Sequence, residues 1–286
     1  MSAFDSFIAA GVDLAFYGVN DEDGYLKGGT LTAPANGSTA GSPMLRMKGM
    51  VNADVAIAEP ATVNVPGDNG TQGQFIFPPD TTPAFTLEAS VFKLATQALA
   101  QGTLTYADGD TTLGVLQPNE YDPPDMCWIL QSPSKKKDVG VNGVKAWSGY
   151  IIPTTQAYPI GRAAMRTREA ATDRMRVTAN PASMLPDGLA IDETNFGATG
   201  GVIVPFTNDY PIFMQRFTGD GTETDFTLTY APAVNAASQI RVRVNGVLAV
   251  FGTDYTVNLS TKTITFQAGH IPTAGQKIIA RIGFNP

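Results

Sequence analysis

Apolar and polar residues alternate with a period of two through much of this chain, most cleanly from Arg216 onward. There FTGDGTETDFTLTYAP, QIRVRVNGVLAV, TDYTVNLSTKTITFQAG and QKIIARIGF form four runs separated by turn residues. Asn245-Gly246 predicts a two-residue hairpin, and Leu259-Ser260-Thr261-Lys262 predicts a second turn. Ile240, Val242 and Val244 alternate with Arg241 and Arg243, which predicts one buried face and one wet face. Residues 213–286 therefore read as a small β-sandwich domain. The pattern shifts near Thr207–Gln215, so residues 1–212 read as a second, larger domain.

In that larger part, GVDLAFYGVNDEDGYLKGGTLT predicts a strand, an acidic turn and a second strand. DPPDMCWILQSP and KAWSGYIIPTTQAYPI predict two more strands, and LTYADGDTTLGVL a hairpin with Asp108-Gly109 at its tip. Residues 162–179 read as a long strand, with Ala163, Met165, Thr167 and Glu169 alternating, although Ala, Arg and Glu favour a helix. One stretch has a helical period. In Phe85 to Gln101, Leu87, Val91, Leu94, Ala95 and Ala98 recur at three- and four-residue spacing, and Gly102 stands where a left-handed cap belongs. That helix is expected to lie as a lid on a sheet face. Residues 33–83 read as a long, weakly structured loop rich in Gly, Pro and Thr. Within it Met44, Met47 and Met50 stand close together, with core filling the plainer reading and an adaptable contact surface the alternative.

Composition agrees with a mainly β chain. Charged residues make up 16% of the 286, while Gly (29) and Pro (20) supply many turns. No apolar run approaches the ~20 residues that cross a bilayer, so no membrane insertion is expected. The opening MSAFDSFIAAGVDLAF carries Asp5 and Asp13 without a basic start, unlike a secretory signal. Residues 1–212 hold 13 Lys+Arg against 22 Asp+Glu, a net of −9, and residues 213–286 hold 6 against 4, a net of +2. A chain that grips nucleic acid gathers cations, and the larger part does the reverse.

Candidate chemistry is sparse. One histidine (His270, in a loop) and one cysteine (Cys127) leave no material for Ser-His-Asp, Cys-His or His-rich zinc sites, or for an internal disulfide. Asp21, Glu22 and Asp23 lack the spacing of a calcium loop and read as a hairpin tip. Asp220, Glu223 and Asp225 read as a turn, and Lys135-Lys136-Lys137 as a solvated basic loop. No phosphate loop or dinucleotide fingerprint occurs. The chain is expected to be no enzyme and to need no metal or cofactor.

The order of these features resembles the major tail tube proteins of long-tailed, siphovirus-like bacteriophages. The long loop before the helix, the helix ending Ala100-Gln101-Gly102, the strands DPPDMCWILQSP and KAWSGYIIPTTQAYPIG, and the later TANPASMLPDGLAI carry the likeness. The four terminal runs resemble Ig-like β-sandwich domains appended to phage virion proteins. The resemblance implies a tail tube domain that forms a sandwich and joins a barrel, with one packing helix, plus a small outer decoration domain. It implies homo-hexameric rings stacked into a conduit for genomic DNA, in a virion tail made in the host cytoplasm. The tape measure, terminator and distal tail proteins would be its partners. On this reading the 33–83 loop reaches the next ring, with Met44, Arg46, Met47, Val63, Phe75 and Phe77 as candidate contacts. Asp21, Glu22 and Asp23 become candidate lumen or loop acids, in a wall that repels phosphates. Residues 1–212 should then assemble alone.

Two other classes remain open: a capsid decoration or cement protein, and a glycan-binding attachment module. The second would use Trp128 and Trp147 as stacking planes, although core packing is the plainer role for both.

Overall fold

The computed structural model describes residues 12–48, 50–55, 61–67, 70–77, 84–89, 92–103, 105–108, 111–115, 122–135, 145–162, 173–197 and 200–286. The fold is mainly β, with several antiparallel sheets and two short helices. The largest sheet runs Leu26–Gly28, Leu14–Asn20, Met126–Lys135, Lys145–Arg162, Asp173–Ala179, Ala84–Ala89, Met50–Val55. Two further strands join it beside that path: Leu45–Met47 pairs with Leu14–Asn20, and Val204–Asn208 with Lys145–Arg162. None of the helices among the described residues is long and apolar enough to cross a membrane.

The centre of this sheet is covered on both faces. All seven residues of Leu14–Asn20 are buried. Because side chains alternate across a strand, Leu14, Phe16, Cys127, Ile129 and Ile151 point into one core. Ala15, Tyr17, Val19, Met126, Trp128, Leu130 and Ile152 fill the other. Burial on both faces explains why LAFYGV and MCWIL read as nearly continuous apolar runs.

The helix covers the second core, but it is shorter than its sequence period predicts. It spans Leu94–Gln101 and buries Thr96, Ala98, Leu99, Ala100 and Gln101, while Ala95 is exposed. Gly102 caps it in the left-handed region (φ 66°), as predicted. Ala84–Ala89 is instead a strand, paired with Asp173–Ala179 on one side and Met50–Val55 on the other. Phe85, Leu87 and Ala89 share its buried face, so the same residues satisfy a period of two. Hydrogen-bonded neighbours on both sides outweigh helical propensity there. The second helix, Glu193–Phe196, is capped by Asp192, whose side chain accepts from the Asn195 backbone N–H at 2.8 Å.

The stretch 33–83 is no continuous loop. It carries Ser42–Pro43, Leu45–Met47, Met50–Val55 and the pair Ala61–Gly67 and Gly70–Phe77. That last pair forms a two-stranded sheet of its own, with Val63 opposite Phe75 and Ala61 opposite Phe77. Turn-rich composition hid Ser42–Pro43, Leu45–Met47 and Met50–Val55, which draw their pairing from strands elsewhere in the chain. Thr105–Asp108 pairs with Thr111–Val115, Asp108 opposite Thr111, as the expected hairpin. The predicted residues Val91, Gly109, Lys136, Lys137, Ala163, Met165, Thr167 and Glu169 lie outside the described residues, whereas the strand leading to MRVTANP is present as Asp173–Ala179.

The terminal runs form two sheets. One runs Val247–Leu248, Ile240–Val244, Lys277–Gly283, Ile212–Thr218, Ser42–Pro43, and the other Asp225–Thr227, Thr263–Phe266, Tyr255–Asn258. The Asn245-Gly246 turn has positive φ at both residues (49° and 82°), the mirror-image turn that suits a two-residue hairpin. Strand Ser42–Pro43 comes from the other end of the chain, and the first core includes Phe213, Phe217, Phe226, Ile282 and Phe284 beside Leu14, Phe16 and Leu26. Residues 213–286 thus share a core with the main sheet and take a strand from residues 42–43. A chain ending at 212 would uncover the Phe16 face of the main sheet.

Phe16 is fully buried and meets Phe213, Tyr230 and Phe284 edge-on at 5.4, 6.2 and 5.8 Å. Phe16→Ala is expected to cost about 3–5 kcal/mol in urea denaturation. A loss under about 1 kcal/mol would contradict a shared core.

Candidate functional site

The residues singled out for chemistry lie apart. His270 sits on a loop with Nδ1 3.2 Å from Asp254 Oδ1. Cys127 is buried, and burial pushes its thiol up to about 12. Asp220 Oδ1 accepts from the backbone N–H groups of Thr222 and Glu223, both at 2.7 Å, and so closes a turn. Asp225 accepts from the Thr265 hydroxyl at 2.6 Å. Among the described residues, no three His, Cys, Asp or Glu side chains gather as a metal site. Trp128 is fully buried, stacks on Tyr17 at 5.3 Å and donates its indole N–H to Thr155 Oγ1 at 3.0 Å. Trp147 packs, partly buried, against the first core. Trp128 is therefore a core residue, while Trp147 is buried only in part.

The acidic tip forms part of a latch. Asp21, Glu22 and Asp23 lie between Leu14–Asn20 and Leu26–Gly28. Asp21 Oδ1 accepts from the N–H groups of Asp23 (3.1 Å) and Tyr25 (3.0 Å), which shapes the turn. Its Oδ2 meets Arg216 Nη1 at 2.6 Å and Lys277 Nζ at 2.9 Å. Lys277 also bonds Asp23 and stands 4.5 Å over the Tyr25 ring. Burial alone would raise the Asp21 pKa, but hydrogen bonds and charge from Lys277 and Arg216 outweigh it and hold it below its ordinary value. Burial likewise opposes the Lys277 charge, and its two carboxylate partners still raise its pKa. Two of the three expected lumen or loop acids are thus ion-paired within the subunit, and Glu22 is exposed with no ion-pair partner among the described residues.

A second buried pair lies beside the first. Asp187, 1% exposed, stands 3.2 Å from Arg281 Nη1 and 3.9 Å from Arg243 Nε. Arg243 also donates to the Gly246 carbonyl at 2.9 Å. Arg243 is therefore buried by the Asp187 loop, which corrects the predicted wet face, while Arg241 stays exposed. The contact needs glycine. At Gly188 (φ 86°) a Cβ would lie 2.5 Å from Tyr25 Cε1 and 2.7 Å from Gly246 Cα. Sequence reading missed this latch because its partners are far apart in the chain. The usable signal was a charge inside an apolar strand, Arg216 in IFMQRFT, which demands a buried partner.

Of the candidate contact residues, Met44 and Met47 are buried (3% and 7% exposed), one in each core, so they fill space and present no surface. Arg46 is exposed. Val63, Phe75 and Phe77 lie in the separate two-stranded sheet. Met50–Val55 ends the main sheet, so one of its edges has no partner strand among those described. No protein-family model matches the chain, and no curated protein matches it.

Asp21→Asn leaves the buried Arg216 without its anion and is expected to lower stability by roughly 3 kcal/mol at neutral pH. The folded Asp21 pKa lies below the unfolded 3.8, so its contribution is present above that value and is lost as pH falls through the folded pKa. The Lys277 pKa lies above 10.5, so its contribution is present below that value and is lost as pH rises through the folded pKa. Urea melts of both proteins across pH should show a gap through the neutral range that closes in acid. A gap that does not change with pH would contradict the assignment.

Proposed function

We propose that this chain is a virion structural protein, the subunit of a phage tail tube built from stacked, hexameric rings. The observation that carries the reading is the pair of unshared β elements. Met50–Val55 offers an open ladder edge, and Ala61–Gly67 with Gly70–Phe77 forms a hairpin paired with no other described strand. An open edge presents unpaired N–H and C=O groups, which another strand satisfies. A head-to-tail contact that closes after a fixed rotation makes a ring and leaves no subunit with a free edge. The separate hairpin is the element that would reach the adjacent ring.

Charge supports the same reading. The net −9 of residues 1–212 suits a conduit along which DNA slides without being held. Residues 213–286 would travel as part of each subunit's wall, since they share its core. Other tail proteins and passing genomic DNA are the partners on this reading. The buried Trp128 takes away one of the stacking planes that an attachment module would use.

Negative-stain electron microscopy of the purified full chain across a concentration series tests the proposal. Rings with a central hole, or stacked tubes, are expected. Isolated particles at every concentration would contradict it, and would leave a lattice-bound cement protein as the better reading.

A further inference from the structure

Four arginines share one face of the terminal sheet: Arg216, which pairs with Asp21, and Arg241, Arg243 and Arg281. Arg241 and Arg243 are two residues apart on one strand and so project to the same side, and Arg241 lies directly opposite Arg281 on the next strand. Like charges directly opposite each other destabilise a ladder. Asp187 pairs with Arg243 and Arg281, whereas Arg241 has no ion-pair partner among the described residues. Arg241, Arg243 and Arg281 thus have one paired carboxylate among them.

Arg241 and Arg281 open into a cleft of about 180 Å³, lined by Asn208 and Gln239 and also by the apolar Ile151, Phe206, Ile212 and Ile282. One wall is fixed in advance. The Asn208 amide donates to Gln239 Oε1 at 2.8 Å, and the Gln239 amide donates back to Asn208 Oδ1 at 3.0 Å. Asn208 also donates to the Tyr210 carbonyl at 3.0 Å. Arg281 is held in place by Asp187, and Arg241 is free to close on a ligand. A guanidinium presents a rigid fork of donors that matches a carboxylate or phosphate group.

We propose that the cleft between Arg241, Arg281 and the Asn208–Gln239 amide pair is an oxyanion-binding site that takes a carboxylate or a phosphate group. An anion there relieves the cross-strand repulsion of Arg241 and Arg281. The site stands independently of the tube reading, since its geometry lies within one subunit.

Isothermal titration of inorganic phosphate into the full chain, at fixed ionic strength, tests it. A parallel titration with glutarate separates the two sources: tighter phosphate binding points to a phosphoryl ligand, tighter glutarate binding to an acidic side chain. Saturable one-site binding of at least one ion is expected. Arg241→Gln, at an exposed position, should weaken it about tenfold or more, with an unchanged circular dichroism spectrum. Lys93→Gln, which removes an exposed charge elsewhere, should leave the affinity unaltered. Absence of saturable binding of both ions to the wild type overturns the proposal. So does equal affinity in the wild type and Arg241→Gln.

Discussion

The structure depends on a contact between the first described strand and the end of the chain. Phe16 meets Phe213, Tyr230 and Phe284, and those three pack on one another, with Tyr230 4.8 Å from Phe213 and 4.7 Å from Phe284. Edge-on aromatic pairs add about 0.5–1.5 kcal/mol each beyond the area they bury. More important is what this cluster covers. The Leu14–Asn20 strand is apolar on both faces, so a helix and strands on one side leave the other in need of a cover. The terminal sheets supply that cover. The chain must therefore close a contact across some two hundred residues, which makes its topology non-local and its folding slow.

Ion pairs fix the register of this docking. Asp21 with Arg216 and Lys277, and Asp187 with Arg243 and Arg281, set charged groups at defined points around an apolar contact that is itself non-directional. Breaking one partner leaves a buried charge, which is why such pairs specify an arrangement even where their net contribution is small. The close Gly188–Gly246 approach lets the Asp187 loop reach the arginines.

Local sequence pattern suffices where local interactions decide structure. The Asn245-Gly246 hairpin, the strands at Met126–Lys135 and Lys145–Arg162, and the Gly102 cap each follow from a short run of residues. Phe85 to Ala89 misled because its apolar residues fit both periods, and only its two neighbouring strands decide between them. The shift in composition near residue 212 marks a change in pattern. It does not mark independence, because the cover that residues 213–286 provide appears only in three dimensions. The latch was invisible for the same reason, as 195 residues separate Asp21 from Arg216. On the proposed assembly reading, a body with both faces covered leaves its strand edges and its separate hairpin as the places where subunits meet.

Native-state hydrogen exchange tests most directly whether the terminal strands belong to the body. The amides of Leu14–Asn20, Ile212–Thr218 and Lys277–Gly283 should exchange with one common opening free energy and respond alike to low denaturant. Loss of protection in Ile212–Thr218 and Lys277–Gly283 well before Leu14–Asn20 opens would contradict the account, and would return residues 213–286 to the status of a separate appendage.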